Sequence, residues 1–201
     1  METSPREAPS PRPPRPLSGE PDGSLCRRLR ASDREAFAEV FRRHRDGLLR
    51  YVHTFVHDDA QTHDLVQDVF EGLWALRDRL DPAQSLPALL FRMARNRSLR
   101  HLRDARLHAR KHTEMDPPPP PPLPGNALDA DTLAHRFSAW IADLPPQQRE
   151  ALTLSRFHAL SHREVAETMG ISPRTVNNHI VRALKRLKRH LDAFDNPHTP
   201  T

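Results

Sequence analysis

The chain has 201 residues, 36% of them apolar and 5% aromatic, which fits one or two small helical cores and excludes a single large β-rich enzyme. Lysine and arginine number 31 against 26 acids, a net charge of +5 that cannot establish a polyanion partner until its distribution is known. Cys26 is the single cysteine, which excludes an intrachain disulfide and any multi-cysteine metal cluster and fits a reducing compartment.

Of the 21 prolines, seven fall in residues 1–22 and seven in residues 117–124, so they punctuate the chain rather than fill it. Residues 1–23 mix Pro, Arg, Ser and Glu without periodicity and read as a disordered tail. They hold no apolar run of signal-peptide length, and nothing in the chain approaches the roughly 18 apolar residues of a membrane span. A soluble, cytoplasmic protein with no membrane insertion is the expectation.

Residues 24–112 are expected to form a first helical domain. Phe37, Val40, Phe41, His44, Leu48, Val52 and Phe55 recur at steps of three and four, one amphipathic helix with a break expected near Gly47. Leu65, Val66, Val69, Phe70, Leu73 and Trp74 predict a second helix, and Pro87 suits the first turn of a third that runs past Leu102. Residues 113–131 hold Pro117 to Pro122, Pro124 and Gly125, a composition expected to be an extended, acidic, proline-rich linker. Residues 132–194 resume helical spacing with an interruption at Pro145 and Pro146, and residues 195–201 form a second tail. The fold class expected is all-α, two small helical domains with no strand.

The most specific stretch is residues 161–191. Ser161 and Glu164 fit a capping box opening a short helix with Val165, Ala166 and Met169. Gly170 ends it, Ile171 packs back, and Ser172 with Pro173 supplies an N-cap and first residue for the next helix. On a wheel of about 100° per residue, Val176, Ile180, Leu184, Leu187 and Leu191 fall on one side. Arg174, Asn178, Arg182, Lys185 and Arg189 fall opposite them. Six cations and no acid lie between Arg174 and Arg189, a field that favours phosphates. Ser172, Arg174, Thr175, Asn177 and Asn178 bring hydrogen-bonding groups to the first turn, where base edges of a major groove are read. This is a helix-turn-helix.

Charge is segregated in the first domain as well. Residues 58–71 carry Asp58, Asp59, Asp64, Asp68 and Glu71 with no Lys or Arg, a face suited to a basic protein partner. Residues 92–112 carry eight cations against Asp104, a local +7 that points to nucleic acid. In a continuous helix Arg92, Arg95, Arg103, Arg106 and Arg110 line one stripe.

These segments together resemble the extracytoplasmic-function sigma factors of the sigma-70 superfamily, over most of residues 24–191. The run Asp64-Leu65-Val66-Gln67-Asp68-Val69-Phe70-Glu71-Gly72-Leu73-Trp74 is similar to the helix with which such factors grip the clamp helices of the RNA polymerase β′ subunit. Leu144-Pro145-Pro146-Gln147-Gln148-Arg149-Glu150, followed by the helix-turn-helix, is similar to their −35-binding domain. The resemblance implies core polymerase binding through Asp64, Gln67, Asp68, Glu71 and Trp74, with a second contact to the β flap. It implies −10 recognition by Asp81, Gln84, Arg92, Arg95, Asn96, Arg100 and Arg103, with one base flipped from the stack, and −35 recognition by Ser172, Arg174, Thr175, Asn177, Asn178, Arg182, Lys185 and Arg189. It also implies an anti-sigma partner and a linker directed toward the RNA exit path. Between residues 80 and 112 only Phe91 is aromatic, from which weak promoter melting is expected.

No enzyme is expected. The His53/His57 and His108/His112 pairs have helical spacing but lack an HExxH-like carboxylate, and His158/His162 straddles a helix start, so no metal, cofactor or catalytic residue is assigned. The competing reading is a stand-alone regulator, because Ser172-Pro173-Arg174-Thr175-Val176 also resembles the recognition helix of LuxR-type regulators. That reading would need a receiver domain of alternating strands and helices where residues 24–112 look wholly helical. An adaptor that binds polymerase without DNA leaves the basic stripes unexplained.

Overall fold

The computed structural model describes residues 19–112 and 130–195, with side chains from 19–108 and 136–194. The linker reading therefore lies outside the described residues except at Ala130 and Asp131, and so does the first tail up to residue 18. Among the described residues the secondary structure is helical, with α1 Asp22–Arg30, α2 Arg34–Val56, α3 Asp59–Ala75, a 3-10 turn Arg77–Arg79, α4 Leu86–His112, α5 Ala130–Ala142, α6 Pro146–Arg156, α7 His162–Met169 and α8 Pro173–Asp195.

Local chemistry sets these boundaries. Ser32 turns the chain in the left-handed region at φ 57°, and Asp33 then caps α2 by accepting the N–H groups of Glu35 and Ala36 at 2.8 and 3.2 Å. Thus α1 is a separate helix ahead of those that the apolar spacing marked. Asp58 caps α3 by accepting the Gln61 N–H at 2.8 Å. The break expected at Gly47 is absent, since α2 runs through it. A single glycine costs about 1 kcal/mol in a helix interior, less than the apolar stripe on either side gains by burial.

In the first block α2 packs on α3 and α4, and α1 closes the end against α2. Leu25, Leu29, Val40, Leu48, Val52, Val69, Leu73, Leu86 and Leu90 fill the centre. Phe37 sets its ring edge-on to Phe70 and Trp74, a geometry that aligns ring edge with ring face. In the second block α6 and α7 pack on α8, with Ala151, Leu154, Val165, Val176, Ile180 and Ala183 inside. Trp140 of α5 stacks on His190 of α8, the ring planes 13° apart.

The two blocks are in contact, chiefly through α4 and α7, and their apolar residues join in one cluster. No described helix is long and apolar enough to cross a membrane.

One detail of the wheel is corrected. The buried row of α8 is Val176, Ile180, Ala183 and Leu187, whereas Leu184 and Leu191 are 41% and 42% exposed. At about 100° per residue these two leucines sit roughly 50–70° from the centre of that row, on its flank, beyond what α6 and α7 cover.

Candidate nucleic-acid interface

The helix-turn-helix is assembled by its caps. The Ser161 Oγ accepts the Glu164 N–H at 3.3 Å while the Ser161 N–H donates to Glu164 Oε2 at 2.7 Å, a reciprocal capping box. Burial works against the Glu164 carboxylate, but hydrogen bonds from Ser161 and from the Ser85 hydroxyl of the first block hold its pKa below the ordinary value. Gly170 ends α7 at φ 69°, where a Cβ would be strained, and Ile171 returns to the core. Ser172 Oγ accepts the Thr175 N–H at 3.1 Å and opens α8.

That opening fixes the face α8 presents. Arg174, Asn177, Asn178, Arg182, Lys185 and Arg189 are exposed, and Thr175 is half-buried beside the Ser172 cap. Farther along, Arg182, Lys185, Arg186 and Arg189 surround a hollow of about 350 Å³ floored by Gln148 of α6. Neither Arg186 nor Gln148 was assigned to DNA binding from the sequence. A concave patch with four cations and no acid favours a chain of phosphates by releasing its condensed counterions.

The second basic surface is α4. Arg100, Arg103 and Arg106 are exposed, and Arg103 and Arg106 flank an apolar groove with Leu99, Leu102 and Leu107. Arg92 is half-buried and Asn96 exposed on the same helix. Asp81 and Gln84 are exposed in the preceding turn, where Asp81 Oδ1 accepts the Ala83 N–H at 2.9 Å. Arg110 has no described side chain, so the full arginine stripe is followed only as far as Arg106.

Two residues of this surface are engaged. Arg95 Nε donates to Glu150 Oε1 at 2.7 Å, and the Tyr51 hydroxyl donates to the same oxygen at 2.8 Å. Burial first, then the Glu150 charge, push the Tyr51 phenol well above its ordinary pKa, so it remains a donor. Phe91, expected from sequence to be available for an unstacked base, is only 3% exposed. His158 covers it, the ring centroids 4.3 Å apart. No sequence signal marks these partners, because Tyr51 and Glu150 are 99 residues apart.

The acidic surface is the outer side of α3. Asp64, Gln67, Asp68 and Glu71 are exposed, and Gln67 donates to Glu71 at 2.8 Å. Trp74 is half-buried, one side of its ring against Phe37 and the Arg77 guanidinium 4.8 Å from its centroid. Arg97 of α4 donates to the Asp68 carbonyl at 2.7 Å, tying the acidic helix to the basic one.

Histidine chemistry adds no site. His53 and His57 lie edge to face with ring centroids 6.0 Å apart, and among the described residues no three potential ligands converge on a metal position. Cys26 is buried, and burial raises its thiol pKa, which keeps it protonated.

Residues 40–108 match the family described as Sigma-70 region 2, and residues 135–187 match Sigma-70, region 4. The RNA polymerase sigma-E factor of Streptomyces avermitilis is 30% identical over 163 residues, covering 79% of this chain and 87% of the relative. A solved structure of CnrH in complex with the cytosolic domain of CnrY is 25% identical with a TM-score of 0.61, covering 87% of this chain and 99% of that one. A sigma factor RpoE solved with the anti-sigma factor NepR from Bartonella quintana has the same TM-score of 0.61 at 23% identity, covering 78% of this chain and 96% of that one. The LuxR-like alternative is not favoured by any of these matches, whose two regions lie one in each helical block.

Proposed function

The chain belongs to the sigma-70 family as an RNA polymerase sigma factor of the extracytoplasmic-function type, and on that premise we propose which of its surfaces performs each part of initiation. Sigma factors bind core RNA polymerase and promoter DNA and are not enzymes, so the chain acts by recruitment.

Residues 24–112 form the unit that docks on core polymerase and holds the −10 element, and residues 132–194 form the unit that binds the −35 element. The exposed carboxylates Asp64, Asp68 and Glu71 meet the β′ clamp helices, with Gln67 hydrogen-bonding beside them and Trp74 giving the edge of its ring. The turn bearing Asp81 and Gln84, with Arg92, Arg95, Asn96, Arg100 and Arg103 of α4, holds the opened −10 strand. Arg174, Thr175, Asn177 and Asn178 of α8 enter the major groove at −35, with Ser172 fixing that first turn, while Arg182, Lys185 and Arg189 hold phosphates. The second block also contacts the β flap.

Each DNA contact alone is weak. Joining them in one chain makes the second binding step intramolecular and raises its effective concentration. The observation that supports this reading best is the separation of charge, an acidic outer face on α3 and basic outer faces on α4 and α8 of the same chain.

An anti-sigma factor is the natural regulator, in keeping with the partners seen with CnrH and RpoE. The cytoplasm is the compartment in which this work is done. The test is in vitro transcription with sigma-free core polymerase on a library of promoter fragments, followed by sequencing of the transcripts. Aligned start sites preceded by two common elements are expected, and random starts indistinguishable from core alone would end the proposal.

A further inference from the structure

The short helix α1 is firmly held. Arg43 of α2 donates to the Glu20 carbonyl at 2.6 Å and lies 3.8 Å from the Asp22 carboxylate, while Arg28 reaches Glu20 and Asp33, each at 2.8 Å. Leu25, Cys26 and Leu29 seat its inner face in the core of the first block. The same helix packs against the 3-10 turn Arg77–Arg79 and against α4, so it borders the segment that carries Asp81 and Gln84. The match to region 2 begins only at residue 40, and α1 lies ahead of it.

Two contacts set α1 against that segment. At one end Arg77 Nε donates to Ser32 Oγ at 2.9 Å. At the other, a Cβ on Gly23 would lie 2.8 Å from the Pro82 carbonyl oxygen, closer than a carbon and a backbone oxygen pack. Gly23 lies within the helix and outside the left-handed region, where glycine costs about 1 kcal/mol against alanine, so space and not conformation is what it supplies. Burial first, then the Asp22 charge and, more weakly and with Arg27 opposing, that of Asp81 raise the Cys26 thiol pKa, which puts the turn within electrostatic reach of α1.

The turn is the softer of the two partners. Leu80 and Leu86 are buried on either side of it, but Asp81 and Gln84 are exposed. The Ala83 N–H donates to Asp81 Oδ1 at 2.9 Å and the Gln84 N–H to the Asp81 carbonyl at 3.0 Å, bonds that close within the turn itself. Added volume at residue 23 therefore displaces the turn and not the helix. Hydrogen bonds to base edges hold only over about 2.7–3.2 Å, so a shift of about 1 Å breaks them. We propose that Gly23 is a positioning residue for −10 recognition: its missing side chain lets α1 brace the Pro82 carbonyl, and that brace sets where Asp81 and Gln84 stand against the bases. The inference rests on the reading of this turn as part of the −10 surface. It places a determinant of promoter specificity in a helix that acts through the turn and not on DNA.

The experiment uses the full chain with sigma-free core polymerase on promoter fragments randomised over both elements, and the transcripts are sequenced. Base preference at each position is the ratio of transcripts carrying the best and the worst base. A ratio taken within one reaction is blind to the amount of active protein, so a loss of stability alone leaves it unchanged. Gly23→Ala inserts the Cβ. Ser32→Gly deletes the hydroxyl that Arg77 holds, adds no atom and suits the left-handed backbone at that residue.

Gly23→Ala is expected to lower the preference at one or two −10 positions by about tenfold, the scale of one lost base-edge contact. Ser32→Gly should lower the same positions by a smaller factor, and every −35 preference should be unchanged in both. Unchanged −10 preferences in folded Gly23→Ala refute the brace, and so does an equal fall at −10 and −35 positions. Should Gly23→Ala fail to fold, as read by circular dichroism, Ser32→Gly decides alone: a lowered −10 preference supports the brace and an unchanged one refutes it. A parent chain that selects −35 bases but no −10 bases overturns the reading of the turn itself, and the brace falls with it.

Discussion

Phe91 and His158 meet across the two helical blocks with ring centroids 4.3 Å apart and ring planes tilted by 40°, and the imidazole is held neutral there. Burial is the main cause and the Arg50 charge the second, and together they bring the His158 pKa down to about 4. A histidine whose pKa is lowered in the packed state favours packing only while it is unprotonated. Its contribution is complete above the ordinary value near 6.5 and declines as pH falls from there toward 4. Thermal unfolding of the full chain should therefore fall more steeply between these pH values than that of His158→Phe. His44 and His57, also lowered, titrate in both proteins, so the difference isolates His158. Parallel curves would show that the ring is solvated.

The capping box is worth about 1 kcal/mol. Ser161→Ala removes the acceptor for the Glu164 N–H and leaves an orphan donor in the first turn of α7. Urea unfolding should show a lower midpoint with an unchanged slope, because the surface exposed on unfolding is the same. Glu164→Ala should cost more than Ser161→Ala, since it also gives up the Ser85 hydroxyl from the start of α4. Equal losses would mean that the Ser85 bond adds nothing.

On α8 the proposed base-reading and phosphate-holding residues differ in how their removal is felt. Arg174→Ala or Asn178→Ala should cost on the order of 1–3 kcal/mol at one promoter position and little once that position is changed. Lys185→Ala or Arg189→Ala should weaken all sequences alike and reduce the salt dependence of binding by about one phosphate each. The measurement is a binding isotherm against a promoter panel at several salt concentrations. Uniform loss for Arg174→Ala would reassign it to the backbone.

The sequence is most informative where the determining forces are local. Ser161 with Glu164, Gly170 and Ser172 with Pro173 each act within four residues, and the helix-turn-helix they imply is the one found. The outward turn of Arg174, Asn178, Arg182, Lys185 and Arg189 follows equally from a period of 3.6. The features that spacing missed depend on distant partners. Leu184 and Leu191 are apolar yet exposed because none of the described helices covers their flank, and α2 passes through Gly47 because packing outweighs a weak local preference. Burial of Phe91 and pairing of Arg95 with Glu150 join residues from two blocks, and no periodicity within either block encodes such a meeting. Arg97 holding the Asp68 carbonyl also joins residues far apart in sequence, although both lie in the first block.

The last prediction concerns α3, where function and stability separate cleanly. Asp64, Asp68 and Glu71 are exposed, and only Glu71 has a side-chain hydrogen bond shown, from Gln67 four residues earlier. Surface substitutions away from caps and cores usually change stability by less than about 0.5 kcal/mol, so Asp64→Ala and Asp68→Ala should unfold within that margin of the parent protein. Charges at the rim of a protein interface act mainly on encounter, through a field that salt screens over about 10 Å at 0.1 M. Each variant should therefore slow association with core polymerase severalfold at low salt, and the deficit should shrink as salt rises. Strand binding by α4 in the absence of polymerase should be unaffected. Association rates equal to the parent at every salt concentration would mean that core polymerase grips another face, and that the carboxylates of α3 serve only to keep that helix solvated.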